Sequence, residues 1–177
     1  VTGSINLLGY TLLEMIAREA SSGYDLAYRL KIMQNTHHSQ IYPMLAKLEE
    51  NGYLVSTTQF QERKPNKKIY AITIEGIELL REWSKTAIRV PVSRDEFIIK
   101  LQLDWLNPKR TNELLKERIR YLEEQLQETE KTLVAIQETL GLASSDEKQS
   151  NMPYQIYQRK YQLTLTEKNW CLSLLDK

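Results

Sequence analysis

The chain has 177 residues, 41% of them apolar, and a net charge of +1. This is enough for one ordinary domain or two small ones with a real core, and a charged share of 27% is that of a soluble protein. Near-neutrality excludes binding through bulk charge, so any contact with nucleic acid has to come from a local patch.

The single cysteine, Cys171, excludes an internal disulfide and fits a reducing compartment. No apolar run approaches the ~20 residues of a membrane span. The first residues show no leader pattern, and the opening VTGS carries no weight. The expectation is a cytoplasmic protein with no membrane partner.

In chain order, INLLGYTLLEMIA places Leu8, Leu12, Met15 and Ile16 on one helical face. SSGYDLAYRL starts a second helix with Ser22 as N-cap and Asp25 three residues on, burying Leu26 and Leu30. A third helix spans about Ser39 to Glu50 with Ile41, Leu45 and Leu48 as its apolar stripe, and Asn51-Gly52 stops it. Pro43 is expected near its first turn, where a missing N–H costs least. YLVSTTQFQ and KKIYAIT are rich in β-branched and aromatic residues and read as two strands. KPNK, with Pro65 and Asn66, is the turn between them. Thr73 caps a fourth helix, IEGIELLREWSK.

Three helices and a two-stranded hairpin, in this order, are those of a winged helix-turn-helix. In such a module the front of the third helix meets base edges in the major groove. Here His38, Ser39, Gln40 and Tyr42 lie off the Ile41/Leu45/Leu48 stripe. Glutamine pairs with adenine in a bidentate way, and serine serves several bases. Arg63, Lys64, Lys67 and Lys68 make the hairpin a basic wing for phosphate or the adjoining minor groove. Pro43 and Lys47 of the third helix, with Gly23 and Tyr24 at the front of the second, complete the DNA-facing candidates. A polar helix start or a basic turn alone is usually solvated surface; the two together favour double-stranded DNA.

GYDL at 23–26, HSQIYPMLAKLEENGYL at 38–54, KKIYAIT at 67–73, Gly76 and Trp83 resemble the PadR family of bacterial transcription regulators. VSRDEFIIKL at 92–101 resembles the segment that opens the C-terminal helical domain of its longer members. That branch includes phenolic-acid-responsive repressors and the AphA-like virulence activators. The resemblance implies a homodimer with its C-terminal helices packed across subunits, and a possible small-molecule effector. Beyond residue 106 the likeness is one of pattern.

The C-terminal half reads from its own residues. Pro91 marks a boundary, which divides the chain into a winged-helix DNA-binding domain, 1–90, and a helical dimerisation or effector domain, 91–177. The fold class is mainly α with a small β-hairpin. Ser93 and Glu96 form a capping-box pair for a short helix through Trp105. Asn107-Pro108 is the N-cap and first residue of a long helix to about Leu140. Leu115, Ile119, Leu122, Leu126, Thr129, Leu133, Ile136 and Leu140 follow a four-three alternation, a heptad seam. GLASSDEKQSN reads as a loop. The last helix starts near Pro153 with Tyr157, Tyr161, Leu165, Leu172 and Leu175 as its stripe. The seam suits an antiparallel pair with that helix or a dimer interface carrying Leu165 and Leu172, and both can hold at once.

Enzyme chemistry has little to stand on. The two histidines are adjacent and lack partners at metal-ligand spacing. No phosphate loop or nucleophile motif appears, so no cofactor or metal is expected. Cys171 sits on an apolar-rich helix and reads as a buried, inert thiol. Ten tyrosines and three tryptophans against two phenylalanines are mostly core by default. The alternative is an effector pocket where the domains meet, with Tyr10, Trp83, Phe97, Trp105, Tyr157 and Tyr161 as candidates and Arg94 or Lys100 as the cation for an aromatic acid. The expected function is a DNA-binding regulator, most simply a repressor. An activator and a winged-helix protein-interaction module are the alternatives, the latter disfavoured by the polar front of the third helix.

Overall fold

The computed structural model describes residues 5–34, 38–60, 66–91 and 94–175, leaving out the side chains of residues 32–34 and 38. The chain divides into two compact units, Val1–Val90 and Pro91–Lys177.

The first unit opens with α1 (Leu7–Arg18), capped by Asn6, whose side chain accepts from the Gly9 N–H. A short strand, β1 (Ser21–Ser22), follows. It leads into α2 (Gly23–Gln34) and α3 (His38–Glu50). Strands β2 (Leu54–Gln59) and β3 (Lys67–Ile72) form the hairpin. The unit closes with α4 (Ile74–Ser84).

The hairpin is part of a three-stranded antiparallel sheet of order β1-β3-β2, with Ser21 opposite Tyr70 and Ser22 opposite Ile69. The two-stranded expectation therefore missed a strand. Two serines have no apolar alternation to betray a strand, and only β3 gives them a partner. Ser22 still caps α2: its Oγ accepts from the Asp25 N–H at 3.2 Å and donates to the Asp25 carboxylate at 2.7 Å.

The core takes Leu12, Leu13 and Ile16 from α1, Leu26, Ala27 and Leu30 from α2, and Ile41, Leu45 and Leu48 from α3. Leu54 and Tyr70 close it from the sheet. The expected faces are thus the buried ones, with Leu8 and Met15 half-buried at the rim. Gly52 ends α3 with φ of 76°, a left-handed conformation that suits glycine. The Thr73 hydroxyl accepts from the Gly76 N–H at 3.1 Å and donates to the Gly52 carbonyl at 2.7 Å. One side chain thereby caps α4 and ties it to the end of α3.

The second unit contains α5 (Glu96–Leu101), α6 (Pro108–Leu140), α7 (Ser145–Ser150) and α8 (Met152–Leu175). α5 is shorter than the expected helix through Trp105: residues 102–106 are turns. Its N-cap is Asp95, which accepts from the Phe97 N–H; Ser93 lies outside the described residues. The segment expected to be a loop contains α7, started by a full capping box between Ser144 and Glu147.

α6 and α8 pack together within the chain. Leu115, Ile119, Leu122, Thr129 and Leu133 are buried as the seam requires, and Leu114 joins them. Leu126 and Ile136 are half-buried and Leu140 is exposed, so the seam loosens toward the end of α6. On α8 the deeply buried residues are Tyr154, Thr164 and Cys171. The expected Leu165 and Leu172 lie one position on, half-buried and 38% exposed respectively. Cys171 is buried as its apolar-rich surroundings indicate, whereas residue size misleads at Thr164, which is buried in preference to its larger neighbour Leu165.

Candidate nucleic-acid interface

Ile41, Leu45 and Leu48 have no exposed surface and root α3 in the core. Ser39, Gln40, Tyr42 and Pro43 are exposed on the same helix, and Lys47 is half-buried. The stripe therefore orients the polar front outward. The backbone of His38 starts the helix. Since α3 starts there, Pro43 is its sixth residue rather than part of the first turn, and it cannot donate to the Ser39 carbonyl.

α2 meets this front. A Cβ on Gly23 would lie 2.6 Å from Cε1 of Tyr42, so the absence of a side chain at Gly23 lets the tyrosine ring lie against the backbone at the start of α2. Tyr24 is 70% exposed beside it. The structure thus brings Gly23 and Tyr42, remote in sequence, into one surface.

Arg63, Lys64 and Pro65 lie outside the described residues; Asn66 is exposed and Lys67 begins β3. Lys67 and Lys68 are not free cations. The Lys67 Nζ lies 2.8 Å from Asp25 Oδ2, and the Lys68 Nζ lies 2.7 Å from Glu49 Oε2. Ser56 donates its hydroxyl to the other Glu49 oxygen. The Lys68 ammonium also stands 5.1 Å from the centre of the Tyr70 ring.

The lysine and serine hydrogen bonds hold the Asp25 and Glu49 carboxyls below their usual values, and the bond to Glu49 raises Lys68. From the sequence Asp25 reads only as a capping partner, and nothing there gives Glu49 a role. The available signal was that neighbouring strand residues face opposite sides, so two lysines in a row need two different partners.

The effector candidates are distributed over both units. Tyr10 and Trp83, in the first unit, stack on each other with centroids 4.3 Å apart and planes 8° from parallel. In the second unit, Phe97 packs beside the Leu115, Ile119, Leu122 and Cys171 cluster. Trp105 is 78% exposed, while Tyr157 and Tyr161 are half-buried on α8.

Arg118 stands over the Phe97 ring, 5.0 Å from its centre. Arg118 is already paired, with Asp95 at 3.0 Å and Glu167 at 2.6 Å. Lys100 pairs with Glu96, and Arg94 is exposed. Cys171 is buried, which pushes its thiol pKa up and away from reactivity. Among the described residues no cluster of His, Cys, Asp and Glu has a metal-binding arrangement, and no helix is long and apolar enough to cross a membrane.

Residues 12–82 match the model of the transcriptional regulator PadR-like family. The chain is 28% identical over 151 residues to the negative transcriptional regulator PadR of Bacillus subtilis, covering 80% of this chain and 83% of that protein. Among solved structures, smu.1604c of Streptococcus mutans superposes with a TM-score of 0.78 at 22% identity, covering 96% and 98% of the two chains. Bacillus subtilis PadR in complex with operator DNA superposes with a TM-score of 0.75 at 23% identity, covering 98% of each. The same PadR in complex with p-coumaric acid gives 0.65 at 22% identity over 97% and 98%. Residues 12–82, most of the winged-helix unit, thus carry the similarity to the PadR-like family of transcriptional regulators, and the likeness of fold to the solved structures extends over the C-terminal helical unit as well.

Proposed function

We propose that the protein is a homodimeric, sequence-specific repressor acting in the cytoplasm, binding a two-fold operator through the front of α3 and the wing. The observation that carries this reading is the division of α3: a stripe with no exposed surface beside an exposed Ser39, Gln40, Tyr42 and Pro43. A helix anchored in this way can hold its polar residues in a major groove, with Ser39, Gln40 and Tyr42 reading bases. Two copies read two half-sites about one helical turn apart. A repressing role is supported by the similarity to the negative regulator of Bacillus subtilis. A phenolic acid is the effector class to test first, since PadR of that organism is solved with p-coumaric acid.

The second copy is expected against α8. The seam residues of α6 are occupied within the chain, but Ile156, Leu163 and Trp170, seven residues apart, remain 45%, 53% and 41% exposed. They form an apolar edge beside the buried Thr164 and Cys171, about 100° round the helix. This shifts the dimer contact from Leu115, Ile119, Leu122, Leu126, Leu133 and Ile136 to the outer side of α8.

The test is a mobility shift of the purified protein on its own upstream DNA, at two salt concentrations with excess random competitor. A competitor-resistant, salt-sensitive shift at dimer stoichiometry, weakened by p-coumaric acid, is the expected result. No binding even to random duplex at low salt would overturn the reading.

A further inference from the structure

Lys67 and Lys68 are neighbours in β3, so their side chains leave the sheet on opposite faces. Each meets a carboxylate on a different helix. On one face Lys67 reaches Asp25 in the first turn of α2, a residue held by its own hydrogen bonds to Ser22. On the other, Lys68 reaches Glu49 near the end of α3. Glu49 also accepts from Ser56 of β2, and Ser56 lies opposite Tyr70, whose ring underlies the Lys68 ammonium.

We propose that Lys67 and Lys68 are positioning residues that clamp the turn-side end of the hairpin from both faces of the sheet, to α2 through Asp25 and to α3 through Glu49. The clamp fixes the angle between the wing and the helix that faces DNA. The inference rests on the DNA-binding reading above and departs from the expectation that these lysines neutralise phosphates.

Charge matching supports it. Each lysine is already neutralised by a carboxylate within 3 Å, so a phosphate would have to compete with that partner for the same charge. The lowered Asp25 and Glu49 values are what such settled pairs produce. Partly exposed pairs of this kind add little to global stability, so the melting temperature is a poor probe of the clamp. Wing orientation and DNA binding are the informative readouts.

The experiment compares full-length D25N, E49Q, K67M and K68M with the wild type. Binding is measured to a duplex from the protein's own upstream region and to a random-sequence duplex, across a salt series. Amide hydrogen exchange is followed over residues 54–59 and 67–72. If the lysines are clamps, both carboxylate variants bind DNA several-fold more weakly despite losing a negative charge. Exchange in the two strands also speeds up, and K67M and K68M keep the wild-type salt slope. If the lysines contact phosphate, D25N and E49Q bind more tightly by releasing them, and each lysine variant flattens the slope by about one; that result overturns the proposal. A wild type that binds neither duplex defeats the DNA reading. The exchange arm then decides the clamp alone, and unchanged exchange in D25N and E49Q overturns it.

Discussion

At the scale of single residues, the surface divides into side chains positioned by the core and side chains positioned by charge. Gln40 belongs to the first kind: it is exposed on α3 next to Ile41, which is fully buried. Gln40→Ala is expected to relax selectivity at one base position and to cost ~1–3 kcal/mol of specific binding, as read by a competition series over operator variants.

Gly23 acts at one remove. In Gly23→Ala the new methyl would meet the Tyr42 ring at 2.6 Å. The ring is half exposed and can swing aside, so thermal stability should hardly change while operator affinity falls. A loss of both together would show that the ring is part of the core.

Asp25 and Glu49 set the pH behaviour of the turn-side end of the hairpin. Both carboxyls sit below their ordinary values of 3.8 and 4.5, chiefly through the hydrogen bonds from Lys67 and Lys68. A lowered folded-state value means a contribution complete above the ordinary value and lost as pH falls through the lowered one. Exchange protection of β2 and β3 should hold at pH 6 and drop below about pH 4, with the drop smaller in E49Q and in D25N and absent from the double variant.

At the scale of elements, local signals were strong where one side chain closes a turn. Thr73, Asn107 and Ser22 cap α4, α6 and α2 as their sequence context indicates. Thr73 goes further by donating to Gly52, so Thr73→Ala loses both a cap and a tie to the end of α3. It should destabilise the winged-helix unit by about 0.5–2 kcal/mol, measured by denaturant unfolding.

The capping box of α7 was equally legible, since Ser144 and Glu147 have the right spacing, but the surrounding polar composition concealed it. The face of α8 was not legible. Leucines at 163, 165 and 172 compete with Thr164 and Cys171, and a helix with apolar residues on several sides has no single stripe to read.

At the scale of the molecule, the prediction concerns which apolar face meets a second copy. Leu163→Glu should lower the mass seen by sedimentation equilibrium toward that of a monomer, with helix content retained. Leu122→Ala removes a buried side chain between α6 and α8. It should instead cost about 2–5 kcal/mol of stability and change the mass only through unfolding. The opposite pattern would return the interface to the α6 seam.

Sequence by itself determined the order of the longer helices, the hairpin, the caps of α2, α4 and α6, the inward stripe of α3 and its polar front. These depend on residues within a few positions of each other, where periodicity and hydrogen-bonding chemistry are decisive. Tertiary structure decided the rest. It paired Ser21–Ser22 with β3, laid Tyr42 against Gly23, gave Lys67 and Lys68 to two helices, and buried Thr164 in preference to Leu165. Each of these depends on groups far apart in the chain, and their partners are fixed only when the core brings the elements together.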